Sequence, residues 1–203
     1  IFNERGAVAA SEAYLKEKAI FPIKVYDQFD HDPLNVILSS FSKLDERGEG
    51  AAIQIIFYPE NGELSKKYSQ ALEKIQKGVP LGEAVDIRTG LFSEVSETFK
   101  ELFAGSKKKN GEGEKEKPLV DEAVLETIRG KAGTPLFLTN IRIVASSHTE
   151  NEAEGILSDI ESAFNQFAHP KGNSFVFKRV RGRALPRLTR AFSYRLFDRS
   201  HAL

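Results

Sequence analysis

Six cations crowd the stretch from 178 to 190: Lys178, Arg179, Arg181, Arg183, Arg187 and Arg190. At that density they can neutralise several phosphates, and Phe175, Phe177, Phe192 and Tyr194 place aromatic faces nearby on which bases could stack. The same charges would equally meet an acidic neighbouring subunit. Leu185, Leu188 and Phe192 recur at helical spacing among the arginines, so one side of the segment is expected to pack against protein. These six residues form the candidate binding set, for nucleic acid or for an acidic partner.

Other groupings are weaker. Asp27, Asp30, His31 and Asp32 have the donor types of a cation site, but the segment lacks the Gly and distal Glu of a calcium loop. Asp32 before Pro33 is already explained as a helix cap. Arg129-Gly130-Lys131-Ala132 has the look of the end of a phosphate-binding loop, yet Leu125 stands where the first Gly belongs and Ala132 where Ser or Thr would hold magnesium. Gly111 and Gly113 have no strand before them and no helix after, which argues against a dinucleotide fingerprint. The chain has no Cys, so thiolate and Cys-zinc chemistry are excluded. Its four histidines, His31, His148, His169 and His201, form no pair at ligand spacing. No catalytic residue, cofactor or metal is assigned, and the chain by itself is expected not to be an enzyme.

Composition bounds the rest. The 203 residues suffice for one well-buried core, and 40% hydrophobic with 29% charged residues lie in the globular range. The 29 cations balance the 29 acids overall, but residues 169–203 hold nine cations against the single acid Asp198. That leaves 20 cations against 28 acids in residues 1–168, a net −8, so a basic C-terminal arm on an acidic body is expected. No apolar run approaches the roughly 20 residues of a membrane-spanning helix, and no signal-peptide pattern opens the chain. Lack of Cys fits a reducing compartment. With no initiator Met, the chain is expected to be a segment of a longer protein, and a cytoplasmic location is expected.

The elements that would position these residues follow from periodicity. Phe21, Ile23 and Val25 alternate with Pro22, Lys24 and Tyr26, predicting a first strand over residues 20–29 and leaving 1–19 as an N-terminal extension. Asp32 caps a helix carrying Leu34, Ile37, Leu38, Phe41 and Leu44 on one stripe, ended by Gly48. Ala52 to Tyr58, rich in β-branched and aromatic residues, reads as a strand. A second unit repeats the pattern: Phe137, Thr139, Ile141, Ile143 and Ala145 share a strand face. Thr149 with Glu152 makes a capping box for a helix striped by Ala153, Ile156, Leu157, Ile160, Phe164 and Phe167, and Phe175 and Phe177 alternate in a last strand. Two strand–helix–strand units predict an α+β fold, a ferredoxin-like split βαβ sandwich with an antiparallel four-stranded sheet and two helices on one face.

Residues 20–203 are thus expected to form one domain, with a long helical insertion at 60–134. Within it, residues 65–76 read as a helix with Tyr68, Leu72 and Ile75 inward. Phe92, Val95, Phe99, Leu102 and Phe103 mark another, whose Glu94, Glu97 and Glu101 favour a protein partner over an anionic membrane. Residues 105–118 have no apolar side chain and are expected to be a flexible linker. Residues 120–129 give a further helix, closed by Gly130 and Gly133.

Seven motifs together carry a family resemblance: Phe21-Pro22-Ile23-Lys24, Asp32-Pro33-Leu34, Ala52-Ile53-Gln54-Ile55, Ile141-Arg142-Ile143-Val144-Ala145, Phe164-Asn165-Gln166-Phe167, Gly172-Asn173-Ser174-Phe175 and Phe192-Ser193-Tyr194-Arg195-Leu196-Phe197. Over residues 20–203 the chain resembles the N-terminal region of bacterial proteins related to type IV secretion and conjugative DNA-transfer ATPases. The resemblance implies a non-catalytic accessory or assembly domain preceding a RecA-like motor, with ATP hydrolysis belonging to the parent protein. Its implied partners are other subunits, the C-terminal motor domain, or further copies of itself, at the inner face of the membrane through a larger complex. The alternative expectation is a nucleic-acid-binding module that uses the basic arm.

Overall fold

The computed structural model describes residues 6–45, 48–85 and 122–203. Four strands form one antiparallel sheet: β1 Ala7–Leu15, β2 Gly50–Pro59, β3 Phe137–Ser147 and β4 Phe175–Val180, in the order β2-β3-β1-β4. The fold is therefore a mixed α/β arrangement. Helix α1, Pro33–Phe41, and helix α5, Glu150–Ala163, lie on one face, where Ile37, Leu157, Ile160 and Phe164 meet Ala9, Ala13, Ile141, Ile143 and Ala145. The cap readings hold: the Asp32 carboxylate accepts from Leu34 N at 2.9 Å, and Thr149 and Glu152 cap each other's backbone.

One expectation is overturned. Residues 20–29 are not a strand, and residues 1–19 are not a mere extension, because β1 lies at Ala7–Leu15 between β3 and β4. Small side chains explain both the fold and the miss. Ala9 and Ala13 lie directly under α5, where little room is left, yet alanine is a poor strand signal. Pro22 has no N–H for a ladder, and its carbonyl instead accepts from Asn173 N at 2.9 Å. Ile20 and Phe21 turn into a second core, built by helices α2 Glu63–Gln76, α3 Leu81–Ala84 and α4 Glu122–Ala132 through Tyr68, Leu72, Ile75, Val124 and Ile128.

Smaller departures share a cause, the competition between period and packing. Leu34 and Leu38 of α1 are exposed while Ile37 is buried, and the helix stops at Phe41 rather than at Gly48. Helix α4 runs through Gly130 to Ala132. The helix expected around Phe92 to Phe103 and the linker expected at 105–118 lie outside the described residues. The opposite sheet face also carries a helix: α6, Leu185–Ser193, buries Leu188 against Ala10 and Val144.

Candidate interaction surfaces and a buried arginine

The structure divides the six candidate cations. Arg179 shares the α5 face of β4 with Phe177, and its guanidinium lies 3.1 Å from Glu154 and 3.1 Å from Glu161. Arg181 reaches Glu154 at 2.9 Å. Burial pushes the Glu161 carboxyl above its ordinary range, and the Arg179 charge opposes that rise. Lys178 points to the other face, its ammonium 4.5 Å from the centre of the Tyr14 ring. Arg183, Arg187 and Arg190 are exposed and make no ion pair among the described residues. Two of the six cations are thus paired with acids of α5, and Phe175 and Phe177 pack on the sheet core instead of facing a ligand.

On the α6 face, four side chains stand in register across all four strands: Gln54, Arg142, Glu12 and Lys178. Arg142 is 1% exposed. Its Nε donates to Glu12 at 3.1 Å, and Nη1 donates to Gln54 Oε1 at 3.3 Å and to the Leu196 carbonyl at 2.7 Å. Beside it, Asn140 Nδ2 donates to the carbonyls of Asp198 at 2.9 Å and His201 at 3.1 Å, while Asp198 N donates to Asn140 Oδ1 at 2.7 Å. His201 Nδ1 lies 2.9 Å from Glu12, and Phe197 stacks on Tyr58 at 5.1 Å. Hydrogen bonding from the Ser200 hydroxyl holds the Asp198 carboxyl below its usual range. Buried and bonded to the strands on both sides and to the Leu196 carbonyl, this charge acts as a latch that seats residues 194–203. Sequence reading missed it, although Arg142 amid Ile141, Ile143 and Val144 is the signal of a charge placed on a strand.

A third feature was also missed. Ile55, Phe57 and Phe137 are 46%, 63% and 53% exposed, and the Phe57 and Phe137 rings meet edge to face at 6.4 Å. β2 pairs with β3 alone among the described residues, and its ten residues carry no charge. Edge strands are ordinarily blunted by charges, so an uncharged aromatic edge marks a surface able to pair.

Lys131, from the segment considered as a phosphate loop, is a structural donor. Its Nζ donates to the Ala19 carbonyl, tying α4 to the β1–α1 connection. Burial pushes its amine down to about 8 from 10.5. The unfolded chain then binds more protons between these values, so stability should rise with pH from about 8, by on the order of 2 kcal/mol before pH 10. Tyr68, pushed up to about 12, reverses the slope above 10, where the unfolded phenol loses its proton first. Denaturation of wild type and Lys131→Met at both ends of that window checks this; parallel slopes would refute it.

The resemblance motifs meet in pairs. Gly172-Asn173 clamps Phe21-Pro22: Asn173 Nδ2 donates to the Glu17, Lys18 and Phe21 carbonyls, and a Cβ on Gly172 would come within 2.3 Å of the Pro22 carbonyl. Gln166 donates to the Pro33 carbonyl at 3.0 Å, Gln54 to the Phe192 carbonyl at 2.7 Å, and Arg142 to that of Leu196. They are scaffold positions.

These features define an α/β domain whose accessible chemistry lies on surfaces, with a four-stranded antiparallel sheet latched by a buried arginine. The chain belongs to the family described as Domain of unknown function (DUF8128), whose model matches residues 2–202. No curated protein and no solved structure matches it. No helix among the described residues is long and apolar enough to cross a membrane.

Proposed function

We propose that the chain is a non-catalytic accessory domain serving assembly of a type IV secretion or conjugation motor ATPase, and that it docks through the open edge of β2. The observation that carries the docking is the exposed row Ile55, Phe57 and Phe137 beside an uncharged edge strand. Such an edge offers main-chain hydrogen bonds for affinity and alternate side chains for specificity. The assignment to that machinery rests on the sequence resemblance, whose motifs are those that bond to one another in the fold.

The sheet order β2-β3-β1-β4 with α1 and α5 on one face fits the ferredoxin-like split βαβ pattern, with α6 added on the other face. In this reading ATP hydrolysis belongs to a motor domain elsewhere in the parent protein, and the domain works in the cytoplasm at the inner membrane face. Ile55→Glu with Phe57→Glu, both on exposed positions, should leave folding intact and abolish co-purification with the other subunits of the secretion complex. Undiminished co-purification would refute docking through β2.

A further inference from the structure

We infer that the outer stripe running from the turn before α6 to its C-cap, Arg183, Arg187, Arg190 and Tyr194, binds the phosphate backbone and a base of a single-stranded nucleic acid. Spacings of four, three and four residues bring these side chains to one side of the helical segment, opposite Leu185, Leu188 and Phe192, which pack on the sheet. At the helical rise the stripe is about 16 Å long. All three arginines are exposed, and Tyr194 is 70% exposed at the stripe's end. Asp198, the sole acid after residue 168, accepts from Ser200 N through its carboxylate and pairs with none of these arginines among the described residues.

Two observations separate this stripe from a merely solvated face. Arg179 and Arg181 already hold Glu154 and Glu161 of α5, and Arg199 lies over the Tyr58 ring, so among the described residues the arm's arginines with neither kind of partner are those of the stripe and Arg195. Next to Tyr194, Arg195 closes the helix at φ 53, with Leu196 N donating to the Ala191 carbonyl at 2.9 Å and Arg195 N to that of Phe192 at 3.2 Å. Glycine is the usual residue at such a helix end. Here a fourth guanidinium occupies it, beside the tyrosine.

The chemistry of the stripe selects the ligand. Guanidinium forks match phosphate oxygens in pairs, and an open phenol ring suits an unstacked base. A duplex hides its base faces, and a protein partner would look for an apolar centre, which the stripe lacks apart from the Tyr194 ring. The site faces away from the Ile55 and Phe57 row, which lies on the α5 side of the sheet, so either surface can fail without the other.

The whole chain would be titrated with labelled oligothymidylate, with duplex of equal length and with polyglutamate, each at several salt concentrations. Wild type should bind oligothymidylate best. Replacing Arg183, Arg187 and Arg190 together with Gln should reduce the log–log salt slope by about 2, at about 0.7 per phosphate. Tyr194→Ala should weaken binding about tenfold at unchanged slope. Arg181→Gln, whose partner is Glu154, should change affinity less than twofold, about the scatter of a surface substitution. Thermal melts should coincide, because every altered side chain is exposed, and an Arg-to-Lys triple should keep the slope. Absent binding, preference for duplex with no effect of Tyr194→Ala, or capture of polyglutamate in place of oligothymidylate would each overturn the assignment.

Discussion

Arg142→Met should lower the free energy of unfolding by about 3 to 5 kcal/mol and make residues 194–203 the first target of a protease. The guanidinium is buried and bonded to Glu12, Gln54 and the Leu196 carbonyl. Taking it away leaves the Glu12 carboxylate, whose side chain is 12% exposed, with His201 as its remaining partner. The penalty is then mostly that of an uncompensated charge, so Arg142→Met combined with Glu12→Leu should recover much of it. Urea denaturation with timed proteolysis measures both effects. A change within about 0.5 kcal/mol would show that the latch contributes nothing.

Leu157→Ala should cost about 2 to 5 kcal/mol. Leu157 has no exposed surface and lies midway along α5, between Ala153 and Ile160, over the strands β1 and β3. Alanines beneath it at positions 9 and 13 cannot expand to fill the gap, so the cavity should persist. Calorimetry or denaturant melts check the value, and a surface-like effect would mean that α5 presents another side to the sheet.

How far the sequence could be read depended on whether the signal was local. Asp32-Pro33, the Thr149 and Glu152 box, and the stripe through Leu157 and Ile160 are determined within a turn or two, and they stand as expected. β1 was not legible because its residues are chosen for room under a helix rather than for strand propensity, while Phe21 and Ile23 imitated a strand on a segment that serves the second core. The cations were legible as a set but not as individuals. Whether an arginine is free depends on which face of β4 it takes and on what α5 sets opposite it, which no spacing within residues 169–203 reveals. Likewise, Arg142 became a latch only through Glu12 and Leu196, far away along the chain.

Photo-cross-linking from position 57 tests the central claim most directly. With p-benzoylphenylalanine in place of Phe57, in the cell that makes the protein, irradiation should join the chain to the motor domain or to a secretion subunit. The peptides joined should be extended segments lying beside β2. The same group in place of the exposed Lys66, on α2, should give few such adducts. Adducts at 57 no more frequent than at 66, or confined to the chain's own residues, would contradict a docking edge and with it the assembly role.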